Sequence, residues 1–371
     1  MQQTPREDVT AGRTLPEHAA ACPRVLGARR GAWSDRFRSF CTLSARIGAD
    51  RSLVQGAGGN SSIKHDGVLW VKASGTWLAR SLDEAIYVSA DLALIRNLLR
   101  SGTIDPVSPA LRPDAAERGL KASIETTLHA LLDHNVVLHL HSVAAIALAV
   151  REDAERLLAP RLEGLSWAFV PYARPGLPLT RAVMEAIGDS MPDLLVLANH
   201  GIVVGGEDYA AAESILTEVE RRLQAKPRPD GPADLQRLQT ACRGTGYRLP
   251  KDKSCHAIAT DSRHLAIAAG GSLYPDHVVF LGPGMTVVEP TDDLPHSAER
   301  GDAPAFLAIR DVGVVVREEL PAAAEVMVGC LVDVLRRIPK EATVTYLSGA
   351  EEDELLGWDA EKLRQAMNKG N

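Results

Sequence analysis

Two histidines at alternate positions of one extended segment are the first residues in this chain whose spacing suggests chemistry. Val136-Val137-Leu138-His139-Leu140-His141 is β-branched and apolar in its first half and reads as a strand. Side chains alternate across a strand, so Val137, His139 and His141 point one way and Val136, Leu138 and Leu140 the other. Two imidazoles side by side can grip one zinc ion, which in catalytic sites takes three protein ligands and keeps a position open. A third candidate is His200, in the turn Asn199-His200-Gly201 between the strand-like runs 194–198 and 202–206. The glycine there would let the backbone approach a ligand closely. A histidine at a strand end is also commonly a buried, hydrogen-bonded residue, and spacing alone leaves both readings open.

The carboxylate that could work beside such a metal is Glu125. The periodicity predicts a helix from about Ser123 to Asp133, with Ile124, Leu128, Leu131 and Leu132 as its apolar stripe. Glu125 and His129, four apart, share a face at the edge of that stripe, where a side chain can look into a cleft. His129 reads either as a partner to the ligand set or as a helix-surface histidine. Gly56 to Ser61 offers backbone N–H groups that could cradle an anion, or is simply a tight turn. Lys64 and Lys72 add positive charge nearby, or are strand-surface lysines.

The elements that must position these residues follow from local pattern. Asp66-Gly67 between the runs 61–64 and 68–73 predicts a β-hairpin. Ser89 reads as the N-cap of a helix through Leu99. Short β-like runs alternate with helical stretches from about Trp33 to Ala225, as expected of a layered fold of helices and sheet. Residues 226–234, with three prolines and a glycine, predict a linker to a smaller second domain over 235–371, and 1–32 reads as a loosely packed leader.

Composition limits the partners. The 371 residues carry 41 Lys and Arg against 48 Asp and Glu, a net charge of −7, which gives no reason to expect nucleic acid or an anionic membrane. The longest apolar runs, such as 143–150, are far short of the roughly 20 residues that span a bilayer. Five scattered cysteines, without a Cys-x-x-Cys pair, predict neither a disulfide framework nor a thiolate zinc site and point to the cytoplasm.

Five motifs in order resemble the class II aldolase/adducin family: Gly58-Gly59-Asn60-Ser61, Lys72-Ala73-Ser74-Gly75, Ser123-Ile124-Glu125 with His129, His139-Leu140-His141-Ser142 and Asn199-His200-Gly201. The resemblance covers about residues 33–225. It implies an α/β fold of three αβα layers around a mainly antiparallel sheet, a smaller C-terminal α/β domain, and usually a homotetramer with sites at subunit interfaces. It implies His139, His141 and His200 as ligands of Zn2+, or of a similar ion such as Mn2+ or Co2+. Glu125 would be the acid/base and His129 a residue behind the ligands. Gly59, Asn60, Ser74, Gly75 and Ser123 would bind a sugar, sugar phosphate or sugar acid. The implied activity is a zinc-dependent aldolase-type lyase; decarboxylases, epimerases and a dehydratase share the scaffold, and adducin-like heads keep it as an interaction module. Where many phosphate-using members have a second serine, this chain has Ile124. Tyr274-Pro275-Asp276-His277-Val278 resembles a segment of long bacterial members, but the chain has no Gly-x-Gly-x-x-Gly, so no nicotinamide cofactor is expected. Cys255, His256, His264 and His277 are too irregularly spaced to suggest a second metal site, and no chemistry is assigned to the second half.

Overall fold

The computed structural model describes residues 32–113, 117–291, 293–294 and 303–357; all of the expected leader but Ala32 lies outside them. The first half is built on a seven-stranded sheet of order β3-β2-β1-β4-β7-β6-β5. Its strands are β1 (Asn60–His65), β2 (Val68–Lys72), β3 (Tyr87–Asp91), β4 (Val136–Leu140), β5 (Trp167–Val170), β6 (Leu194–Leu197) and β7 (Gly201–Gly206). Every neighbouring pair is antiparallel except β5 with β6. The β1–β2 hairpin turns at Asp66 (φ 46°) and Gly67 (φ 75°), both in the left-handed region that a tight two-residue loop requires.

Alternation along β4 decides which side chains meet which helices. Val136, Leu138 and Leu140 pack with the helices Ala32–Ala49, Ala154–Arg161 and Tyr209–Leu223 in one core. Val137 packs on the opposite face, with Leu128, Leu179 and Val183 of the helices Thr126–Leu131 and Leu177–Ile187. His139 shares the Val137 face. The result is helices, sheet, helices, the three-layer α/β arrangement.

A second, four-stranded sheet of order β8-β11-β10-β9 follows in sequence, from β8 (Tyr247–Arg248), β9 (Thr286–Val288), β10 (Phe306–Ile309) and β11 (Gly313–Arg317). Phe306, Ala308, Val314 and Val316 bury one of its faces against the helix Ala322–Leu335. Val143, Ile146, Ala147 and Val150 join that same core, although they belong to the helix Val143–Ala149 and its cap in the first half. The opposite side of this helix, through Ala144, Ala145 and Leu148, belongs to the first core. Residues 226–234 lie against the second half: the Arg228 N–H donates to Arg336 O at 2.9 Å and Arg336 pairs with Asp230 at 3.0 Å.

Two local expectations are revised. Ser89 lies inside β3, and the cap of the helix Leu92–Arg100 is Asp91, whose carboxylate accepts from Leu94 N–H at 2.9 Å. The helix predicted over 123–133 is confined to Thr126–Leu131. Ser123 instead makes a turn, its carbonyl accepting from the Thr126 N–H and hydroxyl, which leaves Glu125 at the N-cap. Among the described residues no helix is long and apolar enough to cross a membrane.

Candidate metal centre

Three imidazoles converge where β4 ends and the β6–β7 turn begins. His139 is paired with Asn60 across β1 and β4, His141 follows directly after β4, and His200 occupies the turn. One ring nitrogen from each lies within 4.8 Å of those of the other two, and all three residues are buried. Asn199 takes the left-handed conformation (φ 53°) that swings His200 inward, one that asparagine adopts more readily than most residues. The glycine after it serves a different purpose from close approach to a ligand. A Cβ on Gly201 would lie 2.3 Å from the Leu140 carbonyl oxygen, so it is the neighbouring strand that needs the space.

The hydrogen bonds fix which nitrogens face inward. His139 Nδ1 donates to Ile202 O at 3.2 Å, and His141 Nδ1 donates to Asp276 Oδ2 at 2.8 Å. The Nε2 atoms of both rings then carry lone pairs, and they stand 3.3 Å apart. Two facing lone pairs repel unless a cation lies between them, so this donor set fits a divalent metal ion. Burial, the largest influence, lowers the pKa of His139 and takes that of His200 down to about 3. Both imidazoles are therefore neutral, the form in which histidine binds metal.

Glu125 closes the group. Its Oε2 is 3.3 Å from His139 Nε2, and its Oε1 is 3.7 Å from His200 Nε2 and has no hydrogen-bond partner among the described residues. Burial by itself would raise the Glu125 pKa; positive charge among the three imidazoles would act against it, and the Asn60 amide, donating to Oε2, favours the ionised carboxylate. Behind it runs a buried relay. Ser62 donates to His129 Nδ1 at 2.7 Å, His129 Nε2 donates to Asn60 Oδ1, and Asn60 Nδ2 donates to Glu125 Oε2 at 2.8 Å and to Ser123 Oγ at 3.2 Å. Burial takes the His129 pKa down to about 3, so Nδ1 is free to accept. His129 is thus no surface residue; its ring is hydrogen-bonded to the Glu125 carboxylate through Asn60.

Gly59, Asn60, Ser74, Gly75 and Ser123 all line the cleft in front of these residues, as does Ile124. Lys72 lines it too, buried and donating to Ala57 O and Thr76 O. Lys64 does not: its ammonium donates to the carbonyls of Leu132 and His134, and burial, with help from Arg96, takes its pKa down to about 7. Neither is a surface lysine.

Sequence reasoning missed the residues from the second half. Pro275 and Asp276 form part of the cleft wall, at the start of the helix Pro275–Leu281. The second half therefore reaches the site, contrary to the expectation of no chemistry there. The signal was present in Tyr274-Pro275-Asp276-His277, where proline opens a helix and places an acid in its first turn. The described histidines of that half have structural partners: His256 Nδ1 accepts from Val314 N–H, His264 Nδ1 donates to Ala257 O and His277 Nε2 donates to Gly284 O. Among the described residues the three histidines of the site are the one cluster suited to a metal ion.

Known proteins similar to this chain match its first half. Residues 39–226 match the model of the class II aldolase and adducin N-terminal domain. An L-fuculose phosphate aldolase of Methanococcus maripaludis is 31% identical over 177 residues, which are 47% of this chain and 86% of that protein. YuxG of Bacillus subtilis, named an uncharacterized oxidoreductase, is 30% identical over 195 residues; the match takes in 47% of this chain and only 28% of YuxG. Among solved structures, the N-terminal class II aldolase domain of a Thermoplasma acidophilum protein is similar at 25% identity and a TM-score of 0.45, over 53% of this chain and 95% of that one.

Proposed function

This chain belongs to the class II aldolase and adducin family, and on that premise we propose that it is a zinc-dependent aldolase-type lyase acting on a small sugar, sugar phosphate or sugar acid. The observation that carries this reading is the meeting of three buried imidazoles, two with lone pairs 3.3 Å apart, with a carboxylate whose second oxygen is uncommitted.

His139, His141 and His200 would hold the ion. Zinc bound there supplies a Lewis acid that stabilises the negative charge developing on substrate oxygens when a carbon–carbon bond beside a carbonyl breaks. The rest of the chemistry belongs to the side chains. Glu125 moves the proton: Asn60 fixes its Oε2, and its Oε1 is left to take a hydroxyl proton and return it. Ser74, Ser123 and the Gly75 backbone orient the far end of the substrate, with the Lys72 ammonium as the nearby positive charge. Ile124 stands where a further hydroxyl would help a phosphate, which suits a site less dependent on phosphate than those with paired serines. An adducin-like interaction module would need neither the neutral ligand set nor Glu125.

The test is elemental analysis of the purified chain together with a retro-aldol screen of short ketoses, their phosphates and sugar acids, read as aldehyde released. About one divalent ion per chain and cleavage of at least one member are expected. Metal-free protein, or metal-loaded protein inert across the panel, would overturn the reading.

A further inference from the structure

A metal-binding imidazole needs its second nitrogen held, or the ring turns away from the ion. His139 finds an acceptor inside its own sheet, the Ile202 carbonyl of β7. His141 lies one residue beyond the end of β4, and its Nδ1 instead meets the carboxylate of Asp276 at 2.8 Å, with both side chains almost fully buried. Asp276 is itself firmly placed. Val278 and Val279 of its helix pack with Leu347 and Leu355, and Leu281 joins the second core. The first half makes room for the pair: a Cβ on Gly58 would stand 2.9 Å from both Asp276 Oδ2 and His141 Nδ1. This is a physical reason for glycine at that position. It also sets a carboxylate, rather than an anion cradle, against this part of the glycine-rich segment. A second tie reaches the same stretch, since Asn199 Nδ2 donates to Leu273 O at 2.9 Å and to Thr345 O at 2.8 Å, anchoring the turn that carries His200.

We propose that Asp276 is a positioning residue for the metal centre: it fixes the ring and tautomer of His141, so that the second half of the chain is required to form the site that the first half carries. The inference rests on the metal-binding reading above. A carboxylate acceptor does more than a carbonyl, because its charge also makes the opposite ring nitrogen a better donor to the ion.

The experiment compares full-length wild type, Asp276→Asn and Asp276→Ala, each freed of metal and titrated with Co2+ and Zn2+ against a chromophoric chelator. Visible absorption of the cobalt forms is recorded alongside, and thermal melting of the metal-free proteins monitors the fold. The asparagine variant is nearly isosteric and keeps an acceptor oxygen, so it tests the charge even if the alanine variant does not fold. Affinity is expected to fall about ten- to a hundred-fold in Asp276→Ala and by less in Asp276→Asn, with the cobalt absorption bands displaced in both. Folded variants that bind cobalt within two-fold of wild type, with unchanged bands, would overturn the role of Asp276 alone. A wild type that takes up neither ion would overturn the metal-binding reading and this inference with it.

Discussion

Glu125 has one oxygen committed and one not, and the difference sets what a substitution there should do. Asn60 Nδ2 holds Oε2, so a glutamine could offer its own carbonyl oxygen to the same amide and keep the local geometry. It could not take up a proton at the other position. Glu125→Gln is therefore expected to retain metal and melting temperature while kcat falls about 10²-fold or more, the usual contribution of a general base. Metal content and turnover on a substrate found in the screen check this; a variant keeping over about a tenth of wild-type kcat would move the proton transfer to another residue. The relay from Ser62 through His129 and Asn60 links a buried histidine one helical turn from Glu125 to its carboxylate.

Two β-strands and one tight turn do most of the positioning. β7 begins at Gly201, where an added methyl group would press on the Leu140 carbonyl at 2.3 Å and on His141 Cα at 3.3 Å. Gly201→Ala should thus force β7 away from β4, costing about 1–3 kcal/mol in denaturant unfolding and loosening metal binding through both His141 and His200. An unchanged unfolding midpoint would show that the strands can absorb the methyl. At this scale much was legible in the sequence. A period of two placed His139 and His141 on one face, and Asp-Gly set the hairpin, because both are local properties of the backbone. The helix before β4 was drawn too long because hydrophobic spacing does not register that Ser123 uses its carbonyl and hydroxyl to make a turn. Ser89 looked like a cap for a similar reason: β3 runs two residues further, to Asp91. The pairing of Asp276 with His141 was beyond reach, since the two lie far apart along the chain and no periodicity links an acid in one helix to a ring past the end of a strand.

The molecule as a whole is less divisible than its two sheets suggest. The apolar run 143–150 reads as hydrophobic all round because each side of that helix is buried in a different core. Arg51 adds polar ties across the halves, to Asp252 and Asp333 at 2.7 Å each. The Asp276–His141 contact gives this arrangement a reciprocal energetic consequence. If docking of the helix Pro275–Leu281 tightens metal binding by some factor, thermodynamic linkage requires the metal to tighten docking of that helix by the same factor. Loading the metal-free protein with zinc should then slow amide hydrogen exchange across 272–281 and 343–347, segments that contribute no ligand, and chelation should reverse it. Exchange there that is indifferent to metal would uncouple the two. The ion would otherwise act as a clasp between the halves, and a cell short of metal would hold a looser molecule as well as an idle one.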